Sequence, residues 1–337
     1  MADLAQLLED KGVLLADGAT GTNLFEMGLT SGDAPEMWLE EHPDRIRELH
    51  RRFVEAGSDI ILTNTFGCNA RRLMLHNMQD QVYTLNKKGA ELARVEAEAV
   101  DRPIVVAGSV GPTGDLFAPL GPLTEEQAVE VFKEQIDGLK AGGIDVVWIE
   151  TMSAAEEIRA AVTAAIAHDM PYVFTASFDT AGRTMMGIKP EGLVELANSF
   201  ERKPIAIGAN CGVGASDLLV SVLSMEAAKS GIAPMIVAKA NCGIPQVKGD
   251  KVEYTGTPDL MARYAHMAID SGARIVGGCC GTAVEHLKAM REALDSHTAG
   301  DRPTQDAVIS EIGPLQAPPN EGAEAAGKAR RARRRRS

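Results

Sequence analysis

The sequence predicts an α/β fold, a single-domain (β/α)8 TIM barrel, on three observations. Short β-branched runs alternate with amphipathic stretches eight times between Val13 and Leu294, the pattern of a parallel sheet crossed by helices. No GxGxxG follows any of these runs, so an open doubly wound sheet lacks its usual phosphate loop. The residues Asp17, Asn64, Glu150, Cys211, Cys242, Cys279 and Cys280 all fall at or just past the C-terminal end of a predicted strand. In a barrel that face carries the active site.

The strands are expected at Val13–Asp17, Asp59–Asn64, Ile104–Gly108, Val146–Glu150, Tyr172–Ser177, Ala206–Asn210, Met235–Ala240 and Arg274–Gly277. The helices are expected near Glu36–Ala56, Asn69–Val100, Thr124–Ala141, Ser153–His168, Pro190–Ser199, Ser216–Ser230, Pro258–Ser271 and Val284–Leu294. Thr124 with Gln127 three residues on is a capping box, and Ala56-Gly57 and Ala141-Gly142 end helices on glycine. The Asn69–Val100 stretch is longer than a crossover needs, which leaves a face for a homo-oligomer contact. The barrel is expected to occupy residues 1–298, and residues 299–337 a flexible tail with an Arg-rich end.

Composition narrows the classes further. At 45% hydrophobic the chain of 337 residues is too apolar to be disordered. It has no run of the roughly 18 apolar residues that a membrane span needs, and its N-terminus lacks a basic segment followed by an apolar one. Five cysteines without a signal read as metal-binding or catalytic thiols rather than a disulfide frame. A soluble cytoplasmic protein with no membrane partner is expected. Of the 34 Lys and Arg, seven lie in Lys328–Ser337, which leaves 27 against 47 acidic residues and a charge of −20 on the body. Such a body repels phosphate backbones, so no nucleic acid is expected on its folded surface. The tail itself reads as solvated chain, or alternatively as a basic arm for RNA, an anionic surface or a neighbouring subunit.

Cys279-Cys280, flanked by Gly277-Gly278 and Gly281, is the most informative feature. Thiolates are soft ligands suited to zinc at about 2.3 Å. Vicinal cysteines seldom bridge one another, because the ring is strained. Flanking glycines let both sulfurs face one point. Cys211 ends the sixth strand, two positions from the eighth in a barrel of this kind. Three thiolates with an open fourth position describe a catalytic zinc; the bland alternative is that all three are small buried hydrophobes. Cys242, in Asn241-Cys242-Gly243 after strand seven, nearly repeats Asn210-Cys211-Gly212. A fourth thiolate closes the shell and makes the site structural, so Cys242 is read as a nearby non-ligand. Cys68 is read as a packing residue.

With these residues in place, the chain resembles the zinc-dependent homocysteine S-methyltransferases. That family includes betaine–homocysteine methyltransferase and the homocysteine-binding module of cobalamin-dependent methionine synthase. The resemblance runs from about Val13 to Leu294 on Asp17-Gly18-Ala19-Thr20-Gly21-Thr22, Thr63-Asn64-Thr65-Phe66, Gly108-Ser109-Val110-Gly111-Pro112, Glu150-Thr151, Asn210-Cys211 and Gly277-Gly278-Cys279-Cys280-Gly281-Thr282. It implies a (β/α)8 barrel with Zn2+ held by Cys211, Cys279 and Cys280. It implies Asp17 and Glu150 near the homocysteine amino group, and the Asp17–Gly18–Ala19 turn close to the substrate. The family usually has a proline and an alanine where this chain has Ala240 and Cys242.

The chemistry agrees with that resemblance. A free thiol near pKa 8.5 supplies little thiolate at neutral pH, and zinc deprotonates it while leaving it nucleophilic. The first donor expected is glycine betaine or a similar onium compound, whose charge needs aromatic faces. Trp38 is similar to a donor-contacting region of the betaine enzymes, its bland reading being simple packing. Gly67 and Thr151 stand where the animal betaine enzymes carry tyrosines. Those two positions resemble the methionine synthase module, which takes methyl from a methylcorrinoid protein, and no DxHxxG corrinoid motif is present. S-methylmethionine is a third donor. The seven histidines lie in or beside helix candidates, which argues against a barrel metallohydrolase. A non-catalytic, zinc-stapled partner-binding barrel is the remaining alternative.

Overall fold

A computed structural model of the chain describes residues 2–230, 234–248 and 251–318. Its strands are β1 (Leu14–Leu15), β2 (Ile60–Leu62), β3 (Val105–Val110), β4 (Val146–Met152), β5 (Tyr172–Ala176), β6 (Ala206–Cys211), β7 (Met235–Ala240), β8 (Pro245–Lys248), β9 (Lys251–Tyr254) and β10 (Ala273–Gly278). Eight of them form one parallel sheet in the order β1-β10-β7-β6-β5-β4-β3-β2, and β8 and β9 form a separate antiparallel hairpin. A parallel bridge between Ala16 and Ile60 joins the two ends of the large sheet. The (β/α)8 barrel expected from the strand pattern is therefore the fold.

The period of two along each strand decides what lies inside. Leu14 and Ala16, Ile60 and Leu62, Val105 and Ala107, Val146 and Trp148, Val173, Ala206, Val237 and Ile275 form the barrel interior. Their neighbours Leu15, Ile61, Val106, Val147, Phe174, Ile207, Ile236 and Val276 belong to the larger cluster with the surrounding helices. Continuing the inward register toward the C-terminal face brings Ser109, Glu150, Thr175, Asn210 and Lys239 above the apolar interior, all of them buried. Gly208 is required beside this layer, because a Cβ there would sit 2.0 Å from the Val237 carbonyl oxygen.

The helices are α1 (Leu4–Lys11), α2 (Thr20–Glu26), α3 (Trp38–Glu41), α4 (Pro43–Glu55), α5 (Ala70–Leu73), α6 (Val82–Ala97), α7 (Glu125–Ala141), α8 (Ala155–Ala167), α9 (Pro190–Ser199), α10 (Ala215–Ala228), α11 (Pro258–Asp270), α12 (Val284–Ser296) and α13 (Gln305–Glu311). The helix expected over Glu36–Ala56 is broken at His42, because Pro43 opens α4 at its first position and disfavours helical backbone in the residue before it. The long Asn69–Val100 stretch is interrupted by two 3-10 turns around Asn77, whose backbone is left-handed at φ 57°. Four elements were not expected, the first of them the short helix α2 directly after β1. Helix α1 sends Leu4, Leu7 and Leu8 into the interior cluster and plugs that end of the barrel. The β8–β9 hairpin stands between β7 and α11. Helix α13 packs on α10, with Ser216 donating to the Gly313 carbonyl at 2.7 Å and Asp217 accepting from the Gln316 and Ala317 amides at 2.9 Å. Structure thus continues past the boundary expected at 298, while the Arg-rich end lies outside the described residues. Among the described residues no helix is long and apolar enough to cross a membrane.

The β1–β2 seam is short, and carboxylates reinforce it at both ends. Near one end the Asp59 side chain, 1% exposed, accepts from the Leu15 amide at 2.9 Å and pairs with Lys11 at 2.6 Å and Arg291 at 3.2 Å. Near the other, Asp17 Oδ2 accepts from the Leu62 amide at 2.7 Å. Replacing Asp59 by alanine leaves a buried amide and three cations, Lys11, Arg102 and Arg291, without their acceptor. The expected loss is about 2–4 kcal/mol, read as a lower urea midpoint with an unchanged m-value. Arg202→Ala, which removes an exposed pair with Asp169, should stay within about 0.5 kcal/mol.

Candidate active site

Three thiols converge at the ends of β6 and β10. The sulfurs of Cys211, Cys279 and Cys280 all lie within 4.8 Å of one another, with Cys211 and Cys280 4.0 Å apart. Register brings this about: Cys211 on β6 and Gly278 on β10 both pair with Ala240 on β7. The Cys279 amide then donates to the Ala240 carbonyl at 2.7 Å. Cys211 itself holds a left-handed backbone at φ 60°, a conformation that costs on the order of 1–2 kcal/mol in a non-glycine residue.

Two asparagines brace the thiols. Asn241 accepts from the Cys280 amide at 3.1 Å and donates to the Gly212 carbonyl at 2.6 Å, tying the two thiol-bearing turns together. Asn210 accepts from the Thr151 amide at 2.8 Å and the Thr175 hydroxyl at 2.6 Å, and its amide nitrogen lies 3.9 Å from the Cys279 sulfur. From the hairpin, the Tyr254 phenol hydrogen-bonds to Cys280, and its ring lies against Gly281. Hydrogen bonding among the thiols themselves dominates their acidity. Cys279 acting on Cys211 contributes most to pushing that thiol up to about 12, and Cys211 acting on Cys280 contributes most to pushing it up to about 11. Three thiolates at this spacing need a cation among them. Tetrahedral coordination at about 2.3 Å puts sulfurs roughly 3.8 Å apart, so a small contraction of the observed triangle accommodates zinc.

Cys242 stands apart from this group. It is 1% exposed, its amide donates to the Cys280 carbonyl at 2.8 Å, and its carbonyl accepts from Gly256 at 3.0 Å. A Cβ on Gly256 would come within 2.5 Å of the Cys242 sulfur, so this thiol packs into the base of the hairpin. Burial, and then Glu285, push it up to about 12.

Beside the thiols lies a group of buried charges. Asp17, 1% exposed, uses both oxygens: Oδ2 on Leu62, and Oδ1 on the Lys239 ammonium at 2.7 Å. Lys239, 2% exposed, donates a second bond to the Asp17 carbonyl at 3.0 Å. Glu150, 8% exposed, accepts from the Ser109 hydroxyl at 2.5 Å. Burial raises both carboxyls above their ordinary range, and Lys239 opposes that rise in each. The Asp17–Gly18–Ala19 turn packs on the thiol turn: the Ala19 amide donates to the Thr282 carbonyl at 3.1 Å, and a Cβ on Gly18 would sit 2.5 Å from that same oxygen.

The other expected residues have structural partners. Asn64 donates to the Pro35 carbonyl at 2.8 Å, and Glu36 accepts from the Gly67 amide at 2.6 Å. Together they tie the loop after β2 to the segment before α3. Trp38 is 4% exposed, with His42 at its edge and the Arg45 guanidinium 4.8 Å from the ring centroid. The ring is packed and has its own cation over it, as the packing reading of this residue expects. Sequence reasoning passed over Lys239, although a lysine at an inward position of an apolar strand is itself a signal. Ser109 and Asn241 were quoted only as parts of motifs.

A family model for homocysteine S-methyltransferase matches residues 14–294. The chain belongs to the homocysteine S-methyltransferase family. It is 31% identical over 309 residues to methionine synthase of Mycobacterium leprae and 30% identical over 312 residues to that of Mycobacterium tuberculosis. Each match covers 87% of this chain but 25% of the relative, so the chain spans about a quarter of those proteins' length. The metallated form of the Escherichia coli homocysteine methyltransferase MmuM has the same fold, at a TM-score of 0.72 and 24% identity over 85% of this chain and 98% of that one. The family is in general zinc-dependent, and the three-cysteine group is where a homocysteine S-methyltransferase of this sequence can hold metal.

Replacing Cys211, Cys279 or Cys280 by alanine should lower zinc affinity more than about a hundredfold, measured by metal content after competition with a chelator. Cys242→Ala should keep its zinc and lose about 1 kcal/mol of stability through the lost packing.

Proposed function

We propose that the chain transfers a methyl group to the thiol of homocysteine, giving methionine, with zinc held by Cys211, Cys279 and Cys280. The observation that carries this reading is the meeting of three thiols with a buried carboxylate site within one barrel mouth. When bound, zinc lowers the thiol's pKa and keeps the sulfur nucleophilic at neutral pH. The chain's own residues do the rest. Glu150, oriented by Ser109, and Asp17, held by Lys239 and Leu62, supply the negative field for the substrate ammonium. The Asp17–Gly18–Ala19 turn, fixed on Thr282, forms the wall beside the thiols. The substrate sulfur loses its proton and attacks the methyl carbon in line. A sulfur–carbon bond forms as the donor–methyl bond breaks, and its electron pair stays on the donor.

For the donor, a methyl group carried by a separate corrinoid protein is the better-supported reading. Large exposed apolar side chains lie in the connections that lead from the strands to the outer helices: Phe25 on α2, Met74 and Leu75 in the 3-10 turn after α5, and Leu116, Leu120 and Met185 in loops. These connections ring the barrel mouth, and apolar surface of this kind marks a docking site. The likeness to methionine synthases over a quarter of their length supports the same reading. A betaine-type donor is the second reading, but the ring it rested on, Trp38, is buried against Arg45.

Zinc-loaded protein given homocysteine should form methionine with methylcobalamin and not with betaine or S-methylmethionine. Methionine from betaine overturns the donor assignment, and no methionine from any donor overturns the acceptor. X-ray absorption should count three protein sulfurs per zinc; four would favour the stapled, non-catalytic barrel. Glu150→Gln removes a charge-assisted bond and should raise the homocysteine KM by about tenfold to a hundredfold. Because burial raises the Glu150 carboxyl, protonation removes the ammonium's partner at a higher pH than for an ordinary glutamate. Homocysteine affinity should therefore be full above that raised pKa and fall as pH drops through it, checked by KM across the acid range.

A further inference from the structure

Lys239 is a buried cation in a pocket meant for a cation, and that arrangement calls for a reason. Its ammonium is 2% exposed and bonded twice to Asp17, at 2.7 Å through the carboxylate and 3.0 Å through the carbonyl. Its stem runs past Gly277, where a Cβ would lie 3.1 Å from Lys239 Cγ. Glu150 feels both the lysine and Asp17. Burying a lysine and an aspartate together costs several kcal/mol of desolvation, and an apolar pair of similar volume is often more stable. Stability of the barrel therefore does not account for the pair.

A charge count does. Asp17 and Glu150 bring two negative charges, and Lys239 returns one positive. These three groups carry a single net negative charge, the complement of one ammonium. Without Lys239 the pocket would hold two uncompensated carboxylates, a field suited to a purely cationic thiol and hostile to the carboxylate that an α-amino acid carries beside its ammonium. We propose that Lys239 is the specificity-determining residue for the amino-acid end of the substrate: by holding Asp17 and cancelling one of two carboxylates, it makes the pocket accept a zwitterionic thiol over a cationic or anionic one.

This rests on the homocysteine reading and deepens it. The test compares binding of three thiols to the zinc-loaded protein by calorimetry: L-homocysteine, 3-mercaptopropylamine, which lacks the carboxylate, and 4-mercaptobutyrate, which lacks the ammonium. Zinc content and melting temperature are followed for each variant. In Lys239→Met, the preference for homocysteine over 3-mercaptopropylamine should fall by about tenfold or more. In Asp17→Asn, which takes the net charge to zero, the preference should move the other way and 4-mercaptobutyrate should gain. The double variant Asp17→Asn/Lys239→Met restores one net negative charge and should bring the ratio back toward the parent's. A purely structural role for the lysine would weaken all three thiols alike and leave the ratios unmoved, and that result overturns the proposal. Failure of the double variant to restore the ratio overturns it as well. If Lys239→Met does not fold, the Asp17→Asn and double variants still decide it by their opposed ratios. Failure of all three thiols to bind the unaltered protein is a separate result, which overturns the homocysteine reading and this proposal with it.

Discussion

Everything chemical in this protein depends on one matter of register: Cys211 and Gly278, on strands that are not neighbours, both pair with Ala240 on the strand between them. A slip of one residue on either side would turn the side chains of that strand to the opposite face and separate the thiols by a strand's pleat. The register is held by the apolar alternation below it, where Ala206, Val237 and Ile275 face inward and Ile207, Ile236 and Val276 face the helices. It is also held above, where Asn241 spans from Gly212 to Cys280. Ala240 takes part in a further way. Where the resembled family usually has proline, this residue has an amide to satisfy, and the Tyr264 hydroxyl accepts it at 3.1 Å.

The same alternation places the charges. Moving up the inside of the barrel, the apolar positions give way to Ser109, Glu150, Thr175, Asn210 and Lys239 at the next inward step. An apolar floor topped by polar groups makes a low-dielectric site, in which the two carboxylates and the lysine act strongly on each other and water screens little. It also makes the site rigid. All of these groups but Asp17, two residues past β1, project from strands, and hydrogen bonds fix the carboxylates across the barrel, Glu150 to Ser109 of β3 and Asp17 to Leu62 of β2 and Lys239 of β7. Within the site, Thr151 and Cys211 at the rim both take left-handed backbone. Those two residues are linked through Asn210, whose side chain bonds both atoms of the Thr151 backbone–hydroxyl pair.

The strands and the thiols were legible because both rest on local signals: β-branched runs with glycine turns, and cysteines placed just beyond them. The cooperation of Asp17 with Lys239 was not, because it joins residues 222 positions apart through a closure that no local pattern encodes. The helix over Asn69–Val100 was overdrawn for the opposite reason. Its polar centre, His76-Asn77-Met78-Gln79-Asp80, offers no apolar stripe, and Asn77 is among the few residues that adopt left-handed backbone at small cost. The two readings of Trp38, donor contact and packing, stayed open because an aromatic near such a loop looks the same in sequence whether its face is open or taken. Only the fold shows that Arg45, one helical stretch later, lies over it.

That last point bears on how methyl groups reach the thiols. The three ligating candidates are partly exposed, at the end of the barrel where the strand-following loops converge, so a donor has to approach along the barrel axis from that side. A small onium compound would need a cage of ring faces there, and of the two tryptophans Trp148 fills the barrel interior while Trp38 is engaged with Arg45. What the loops present instead is flexible apolar surface, methionine and leucine above all. Methionine and leucine side chains adapt to a partner's contour and release water as they do so, but they offer no fixed quadrupole to a lone cation. A rim of that composition is suited to a second macromolecule that seats its own reactive group over the thiols. On the proposed reading, the acceptor is held by charge at the ends of the strands and the donor is positioned by what docks over them.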